Sequence, residues 1–360
     1  MNNRTTARER KAIPGHFKAL LAIVLFFLLL GGAHLVLSRY LMYIISVMGI
    51  YIIATVSLNL TNGYAGLFSL GHAGFMAIGA YASTLLTFPV SLRQAYDLPL
   101  LPALLGGQGY QWPFLPAILV AGILAAFGAV LIGAPVLRLR GHYLAVATLG
   151  FMVIITTMAK TLKWLTRGSA GIQVIPHYTN VWWVYVWALI TVYVIWRIIN
   201  SSYGRAMMAI RDDETAAQSQ GINLVKYKLL SFVIGAFFAG VAGGLYAHLA
   251  RAIRPYEFSF TMTFEIVIML VIGGAGTMIG PVVGAALLIT LGYALKPLEE
   301  SLRLYGLIEL VYASLLIVIM LWRPQGIVGG NLTLQGLGQW FRRLLGSTGE
   351  RHKGTLPDPP

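Results

Sequence analysis

Residues 41–88 form an apolar run without a single formally charged side chain. As one continuous α-helix this run would be about 72 Å long, at a rise of 1.5 Å per residue. A bilayer core is only about 30 Å thick, so the run must cross a membrane at least twice. The polar, glycine-containing stretch 59–64 is the predicted divider between the two crossings.

The composition of the whole chain agrees with this reading. Hydrophobic residues make up 58% of the 360 residues, charged residues make up 11%, and cysteine is absent. Soluble domains carry about 25% charged residues, so these values exclude a soluble enzyme, a disordered chain and a secreted disulfide-linked domain. Lipid offers the backbone no hydrogen-bond partners, so long apolar runs without alternation predict helices. The predicted fold class is all-α, a polytopic integral membrane protein.

The remaining apolar runs complete a set of about ten predicted transmembrane helices. The run 264–295 is interrupted by the glycine-rich stretch 273–281, which predicts two shortened helices and a second helix break. If either break is re-entrant, the number of spans falls to eight or nine. The other predicted spans are residues 19–37, 115–137, 142–159, 181–199, 229–250 and 304–322.

The distribution of Lys and Arg predicts the orientation. Ten spans put both termini on one side, which then carries 17 basic residues against 9 on the other, so both termini are predicted to be cytoplasmic. Lys160, Lys163 and Arg167 are an exception, because they fall on the outer side. The basic residues lie in small groups between apolar runs, which argues against a nucleic-acid partner. The predicted divisions are a basic tail at 1–18, a transmembrane domain at 19–326 and a cytoplasmic tail at 327–360.

The predicted cytoplasmic loop 200–228 is the most charged stretch of the chain. Asp212 and Glu214 stand where acidic residues favour the N-terminus of a short helix, and Gly221 is a predicted C-terminal stop. Two readings are open at this point. The loop is either a solvated linker held near lipid headgroups or a docking helix for a cytoplasmic partner.

Several motifs connect this loop to a known family. The order Glu214-Thr-Ala-Ala followed by Gly221 resembles the coupling-loop signature of ABC importer permeases, Glu-Ala-Ala followed by Gly, with Thr215 in place of an Ala. The chain from about residue 41 to 326 resembles the branched-chain amino acid permease family, M-type subunit. Relatives in this family carry urea or short amides. The stretches that carry the resemblance are residues 58–81, 138–145, 204–228, 273–285 and 322–326.

The resemblance implies a set of partners. Such a subunit pairs with a homologous second permease, two cytoplasmic ATPase subunits and a solute-binding protein in a bacterial inner membrane. The sequence contains no G-x-x-x-x-G-K-[ST] phosphate loop, so this chain has no Walker A motif for ATP. We therefore expect a transport subunit rather than an enzyme, with no cofactor of its own and with ATP and Mg on the partner subunits.

The resemblance also implies roles for the residues of the loop. They would sit in a groove of the ATPase and transmit its nucleotide-driven closure to the spans. Arg205 and Arg211 would flank that contact with steering charges. The implied coupling residues are Gly204, Arg205, Arg211, Asp212, Glu214, Ala216, Ala217 and Gly221.

The two helix breaks, residues 62–74 and 273–281, are the predicted region of the solute pathway. Transporter sites form near the midplane at discontinuous helices, where free amide groups can meet a solute carboxylate. In the alternative, the glycines let helices approach closely and the polar groups satisfy exposed backbone. The candidate residues are Asn59, Asn62, Tyr64, Ser69, His72, Gly273, Gly274 and Gly276.

Two carboxylates, Glu265 and Glu309, lie within or at the edge of the predicted spans, and we expect both in interfacial water. The histidines show no metal-ligand spacing, and no catalytic grouping is visible. The sequence therefore predicts an ATP-driven importer of branched-chain amino acids that works by alternating access. Urea, short amides or other amino acids are alternative solutes. An ion-coupled secondary transporter or channel is the alternative class, and it would need intramembrane ligands or a proton relay.

Overall fold

A computed structural model describes residues 24, 26–32, 35–93, 111–137 and 142–329. The described chain is helical apart from one pair of two-residue strands, β1 (Ile172–Gln173) and β2 (Ala252–Ile253). The described residues from Ser46 onward form one compact unit, which contains every contact described below. The helices are α1 (Arg39–Asn59), α2 (His72–Thr87), α3 (Val90–Arg93), α4 (Phe114–Val136), α5 (His142–Thr161), α6 (Lys163–Thr166), α7 (Val181–Ile199), α8 (Ser202–Asp212), α9 (Glu214–Ser219), α10 (Leu224–Ala250), α11 (Phe260–Gly273), α12 (Gly280–Leu302) and α13 (Leu307–Trp322).

The predicted all-α membrane fold is confirmed. In the described residues, seven helical segments are long and apolar enough to cross a membrane. The first predicted span, 19–37, is described only in part. Residues 94–110 of the loop before α4 lie outside the described residues. The same holds for residues 1–18 and 330–360 of the tails. The seven segments are Arg39–Tyr64, Phe114–Val136, Tyr143–Thr161, Val181–Ile199, Leu224–Ala250, Pro255–Gly273 and Gly280–Leu302.

Two helices extend beyond their predicted bounds into charged sequence. Helix α10 begins at Leu224, five residues earlier than predicted, because the Asn223 side chain caps it by accepting the Lys226 amide at 3.0 Å. Helix α12 continues to Leu302, past Lys296. The prediction followed hydropathy, which ends a span at the first charged turn, whereas the backbone helix continues through these charged residues.

The predicted divider at 59–64 is wrong in position. Helix α1 does not end there but continues as one π-helical turn, Leu60–Tyr64, and the connection to α2 is residues 65–71. A π turn keeps the backbone bonded while it widens the helix, as in the bond from the Ala65 amide to the Leu60 carbonyl at 3.1 Å. The second predicted break is confirmed, since α11 ends at Gly273 and α12 begins at Gly280.

Helix α10 is the most buried of the seven membrane segments, and it packs against α2 and α4. Glycines let the backbones touch at this contact. A Cβ on Gly243 would collide with the Met76 carbonyl, and a Cβ on Gly79 would collide with the Gly240 carbonyl. Small residues at such crossings replace the hydrophobic driving force that is absent between helices in lipid.

The two ends of the helices carry different structures. At the strand end, β1 and β2 pair antiparallel, and the Ile175 amide donates to the Arg251 carbonyl at 3.0 Å. Lys160 and Lys163, two of the three basic residues noted as an exception, are exposed at this end. At the loop end lie α8, α9 and the two turns, which we call the first turn (60–71) and the second turn (274–279).

Candidate coupling site

The loop between α7 and α10 contains two short helices where the sequence predicts one. Asp213 separates α8 from α9 and caps α9, because its Oδ1 accepts the amides of Thr215 at 2.8 Å and Ala216 at 3.0 Å. The predicted acidic helix start is therefore confirmed for Glu214. It is wrong for Asp212, which is the last residue of α8.

Gly221 ends α9 as predicted. Its φ is +79°, its amide donates to the Gln218 carbonyl at 3.0 Å, and the Ile222 amide donates to the Ala217 carbonyl at 3.1 Å. This pair of bonds closes the helix and favours glycine at the left-handed position. Gly204 has a different role, since a Cβ there would collide with carbonyl groups at the end of α7.

The small residues of the loop divide between an inner and an outer face. Ala217 is buried, whereas Thr215, Ala216 and Ser219 are exposed and form one outward strip on α9. Arg205 is exposed on α8, and within the described chain its side chain has no hydrogen bond or ion pair. This outer surface is the part of the loop that a partner can contact.

Arg211 differs from the expected steering charge. Its Nη1 donates to the Gly63 carbonyl at 3.2 Å, and its Nε and Nη2 donate to Asp212 Oδ1 at 3.0 and 2.9 Å. The guanidinium is therefore directed at the π turn that follows α1, with Asp212 holding its other edge. Arg205 and Arg211 are on the same helix but face different surroundings.

Glu214, the acidic residue of the signature, forms an ion pair inside the chain. Its Oε1 lies 2.5 Å from Lys228 Nζ in the first turns of α10. The Lys228 side chain is 6% exposed and that of Glu214 is 39% exposed, so the lysine is buried and the carboxylate is partly in contact with solvent. It ties α9 to α10. Hydropathy gave no signal for this pair, because the pairing of a loop acid with a helix lysine depends on tertiary packing.

Asn59 brings the two predicted breaks together. Its Nδ2 donates to the Thr277 carbonyl at 2.7 Å, and its Oδ1 accepts the Gly276 amide at 2.8 Å. The Asn59 side chain is fully buried. Two backbone groups of the second turn are thus satisfied by a side chain of α1, more than 200 residues earlier in the sequence.

The other polar candidates of the first turn are bonded within the same region. Asn62 accepts the Ser69 amide and donates to the Ser69 carbonyl, both at 3.2 Å. Ser57 Oγ and His72 Nε2 lie 2.9 Å apart, and Tyr64 is buried. These contacts agree with the alternative in which the polar groups satisfy backbone and one another. A role in the solute pathway stays a prediction for each of them.

The glycines of the second turn allow close backbone approach. A Cβ on Gly273 would collide with the Gly280 carbonyl, and Gly274 and Gly276 have φ values of +116° and +77°. The segment after α13 also joins this turn, because the Ile327 amide donates to the Ile272 carbonyl at 2.8 Å. Residue 327, predicted to begin the cytoplasmic tail, is therefore bonded to the end of α11.

Glu265 has a neighbour that the sequence did not suggest. It accepts a hydrogen bond from the Tyr51 hydroxyl at 3.4 Å, and it shares a largely apolar cavity of about 400 Å³ with Glu309. Among the described residues neither carboxylate forms an ion pair, and Arg254 instead donates to Tyr256 at 2.7 Å. Glu265 is therefore half-buried between helices rather than in open interfacial water.

Comparison with known proteins identifies one family. Residues 40–323 match the family described as branched-chain amino acid transport system / permease component. The chain is 33% identical over 313 residues to the high-affinity branched-chain amino acid transport system permease protein LivM of Escherichia coli (strain K12), with 78% of this chain and 68% of that protein aligned. No solved structure gave a significant match.

Two further relatives are informative about the range of the family. The high-affinity branched-chain amino acid transport system permease protein LivH of Escherichia coli (strain K12) is 34% identical over 129 residues, 36% of this chain and 40% of that protein. The guanosine ABC transporter permease protein NupP of Bacillus subtilis (strain 168) is 23% identical over 281 residues, 75% of this chain and 78% of that protein.

Proposed function

The chain belongs to the branched-chain amino acid transport permease family, and on this premise we propose that it imports leucine, isoleucine and valine as one subunit of an ATP-driven importer. It is a multi-pass membrane transport component, not itself an enzyme. In the proposed complex it pairs with a second permease and two cytoplasmic ATPases in a bacterial inner membrane. A solute-binding protein delivers the amino acid, and alternating access moves it.

The observation that carries this proposal is the attachment of α8 and α9. Arg211 joins α8 to the first turn, and Glu214 joins α9 to Lys228 of α10. The loop is thereby fixed to the helices on its inner side while α9 presents an exposed strip on its outer side. A solvated linker would need no such attachment. A segment that passes motion from an ATPase to the helices needs one face bound to the helices and another face that the ATPase can contact.

The similarity to two different permeases supports a second permease as partner. The chain resembles both LivM and LivH, whose names assign them to the same high-affinity branched-chain amino acid system. Two homologous permeases of one system imply that the membrane part is built from a pair of related chains. We propose that this chain takes the M-type place in such a pair.

The solute is proposed from the more similar relatives. The aligned LivM protein is 33% identical, against 23% for the guanosine permease, which favours branched-chain amino acids over a nucleoside. Urea, short amides and other amino acids remain alternatives for the same machinery. Ion coupling has less support, because the Glu265 and Glu309 pair is not extended into a relay by other carboxylates of the described helices.

Reconstitution of the complete complex tests the proposal. The chain, its partner permease and the ATPases are purified in mild detergent, placed in liposomes and supplied with the binding protein and labelled leucine. We expect leucine uptake only with ATP on the ATPase side, and competition by isoleucine and valine but not by urea or guanosine. Uptake by the chain alone, driven by an ion gradient without ATP, would overturn the proposal.

A substitution in the loop tests the site within the same assay. Glu214→Gln removes the ion pair with Lys228 and should lower ATP-dependent uptake about tenfold, with the protein still inserted in the membrane. Glu300→Gln on α12 is the matched control, because it makes the same change at an exposed glutamate that forms no ion pair among the described residues, and it should leave uptake unchanged. Unchanged uptake by the Glu214 variant would remove this residue from the mechanism.

A further inference from the structure

Arg211 occupies a position that the steering role does not explain. The side chain is in contact with the first turn, where Nη1 reaches the Gly63 carbonyl at 3.2 Å. Two glycines make room for it. A Cβ on Gly66 would lie 2.8 Å from Arg211 Cγ, and a Cβ on Gly276 would lie 3.2 Å from Arg211 Nη1. The Arg211 side chain therefore extends from α8 to both turns.

The second turn is bonded to the end of α1, four residues before Gly63. Asn59 precedes Gly63 by four residues, so both lie on one side of the end of α1, and Asn59 holds Gly276 and Thr277 of the second turn. The Gly63 backbone also lies against the Gly276 amide, since a Cβ on Gly63 would meet it at 2.5 Å. The second turn is therefore packed against Gly63 and bonded to the helix end that precedes Gly63.

We propose that Arg211 is the positioning residue that makes α8 and the two turns move as one body when the ATPases act on the loop. This inference rests on the proposed function. The mechanical path runs from α8 through the guanidinium to Gly63, and from Gly63 and Asn59 to the second turn. The ends of α1, α2, α11 and α12 at the loop end are thus linked to one side chain.

The chemistry of arginine fits this role. Its planar group has several donors in fixed directions, so Nε and Nη2 can hold Asp212 while Nη1 reaches a backbone carbonyl. The bond to Asp212 fixes the guanidinium relative to α8, and the bond to Gly63 fixes it relative to α1. A lysine has one ammonium group and cannot hold both sides in the same fixed geometry.

The first experiment measures ATP hydrolysed per solute imported by the complete reconstituted importer. Arg211→Ala should raise this ratio about tenfold, because hydrolysis continues while the turns no longer follow the loop. Arg211→Lys should give an intermediate ratio. Arg197→Ala on α7 is the matched control, since it removes an exposed arginine whose side chain has no hydrogen bond or ion pair within the described residues, and its ratio should equal that of the unmodified chain.

The second experiment measures the proposed rigid link directly. The chain has no cysteine, so Ser202→Cys on α8 and Ala275→Cys in the second turn allow spin labels to be placed at two exposed positions. The distance between the labels, measured in the complex with and without nucleotide, should stay narrow and unchanged. With Arg211→Ala added, it should broaden or shift between the two states.

The outcomes separate the inference from the proposed function. If the unmodified chain imports solute without ATP, the proposed function itself fails. If it is ATP-driven but Arg211→Ala leaves both the ratio and the label distances unchanged, only the inference fails. If Arg211→Ala releases the ATPases from the purified complex, Arg211 is a docking contact and the inference is likewise overturned. A raised ratio with the ATPases still bound, and broadened distances, supports it.

Discussion

The first and second turns both contain glycines but are held in different ways. The first turn bonds largely within itself, through the π-helical bonds and through Asn62, which holds both backbone groups of Ser69. The second turn depends on distant parts of the chain. Asn59 satisfies Gly276 and Thr277, and the segment that follows α13 reaches the carbonyl of Ile272.

This difference shows that two glycine-rich breaks of one chain can differ in how far their structure depends on distant residues. A turn whose polar groups are satisfied locally loses few hydrogen bonds when a distant side chain is removed. A turn whose amides and carbonyls are satisfied from elsewhere loses its partners as soon as the distant element changes. The second turn should therefore be the more sensitive of the two to substitutions outside itself.

The largest effect is expected for Asn59→Ala. It leaves the Gly276 amide and the Thr277 carbonyl of the second turn without their partner in a buried site, which should cost about 3 kcal/mol. The measurement is the thermal stability of the purified protein in detergent. A melting temperature equal to that of the unmodified chain would mean that the second turn does not depend on α1.

The next effect is expected for Gly273→Ala, at the start of the second turn. The added methyl would collide with the Gly280 carbonyl, and separating the two helices should cost about 2 kcal/mol. Gly150→Ala on α5 is the control, because a Cβ there meets nothing within 4 Å. Equal melting temperatures for the two variants would contradict the close approach of α11 and α12.

A smaller effect is expected for Gly66→Ala in the first turn. At a φ of +69° an alanine is strained by about 1.5 kcal/mol, and its methyl also presses on Arg211. Gly221→Ala separates the two causes, since its φ is +79° but no atom lies within 4 Å of the new methyl. Both variants should lower the melting temperature through the same backbone strain. Gly66→Ala should also raise the ATP-per-solute ratio, and it should raise this ratio more than Gly221→Ala does. A ratio identical to that of the unmodified importer would contradict the contact with Arg211.

The smallest effect is expected for Asn62→Ala. The variant loses two hydrogen bonds to Ser69 in a partly buried turn whose π-helical bonds remain, at a cost of about 1 kcal/mol. Compared with Asn59→Ala under the same conditions, it should melt at a clearly higher temperature. If the order of the two variants is reversed, the first turn is the dependent one and the comparison is wrong.

Much of the helix content could be predicted because it depends on local hydropathy. The run 41–88 had to cross twice on length alone, and the second break was found from its glycines. The divider at 59–64 was misplaced, because polar and glycine residues also occur in a π turn that keeps the helix intact. The start of α10 was misplaced because capping and an ion pair extend a helix into charged sequence.

The candidate site was predicted less completely. The sequence marked Gly221 as a helix stop and Asn59 as a notable polar residue, and both are prominent in the structure. It placed Arg205 and Arg211 together as flanking charges, because both are basic residues of one loop. Their different environments follow from the position of the first turn beneath α8, which no local pattern encodes.

The sequence by itself determined that this chain is an all-α membrane protein with glycine-rich breaks and a charged loop. Hydropathy, charge bias and glycine content are local quantities, and the bilayer imposes helices on any long apolar run. Only the tertiary structure decided that Asn59 joins the end of α1 to the second turn, that Glu214 is paired with Lys228, and that Arg211 bonds to the first turn. These contacts join residues far apart in the chain, so packing of the helices has to bring them together before any bond can form.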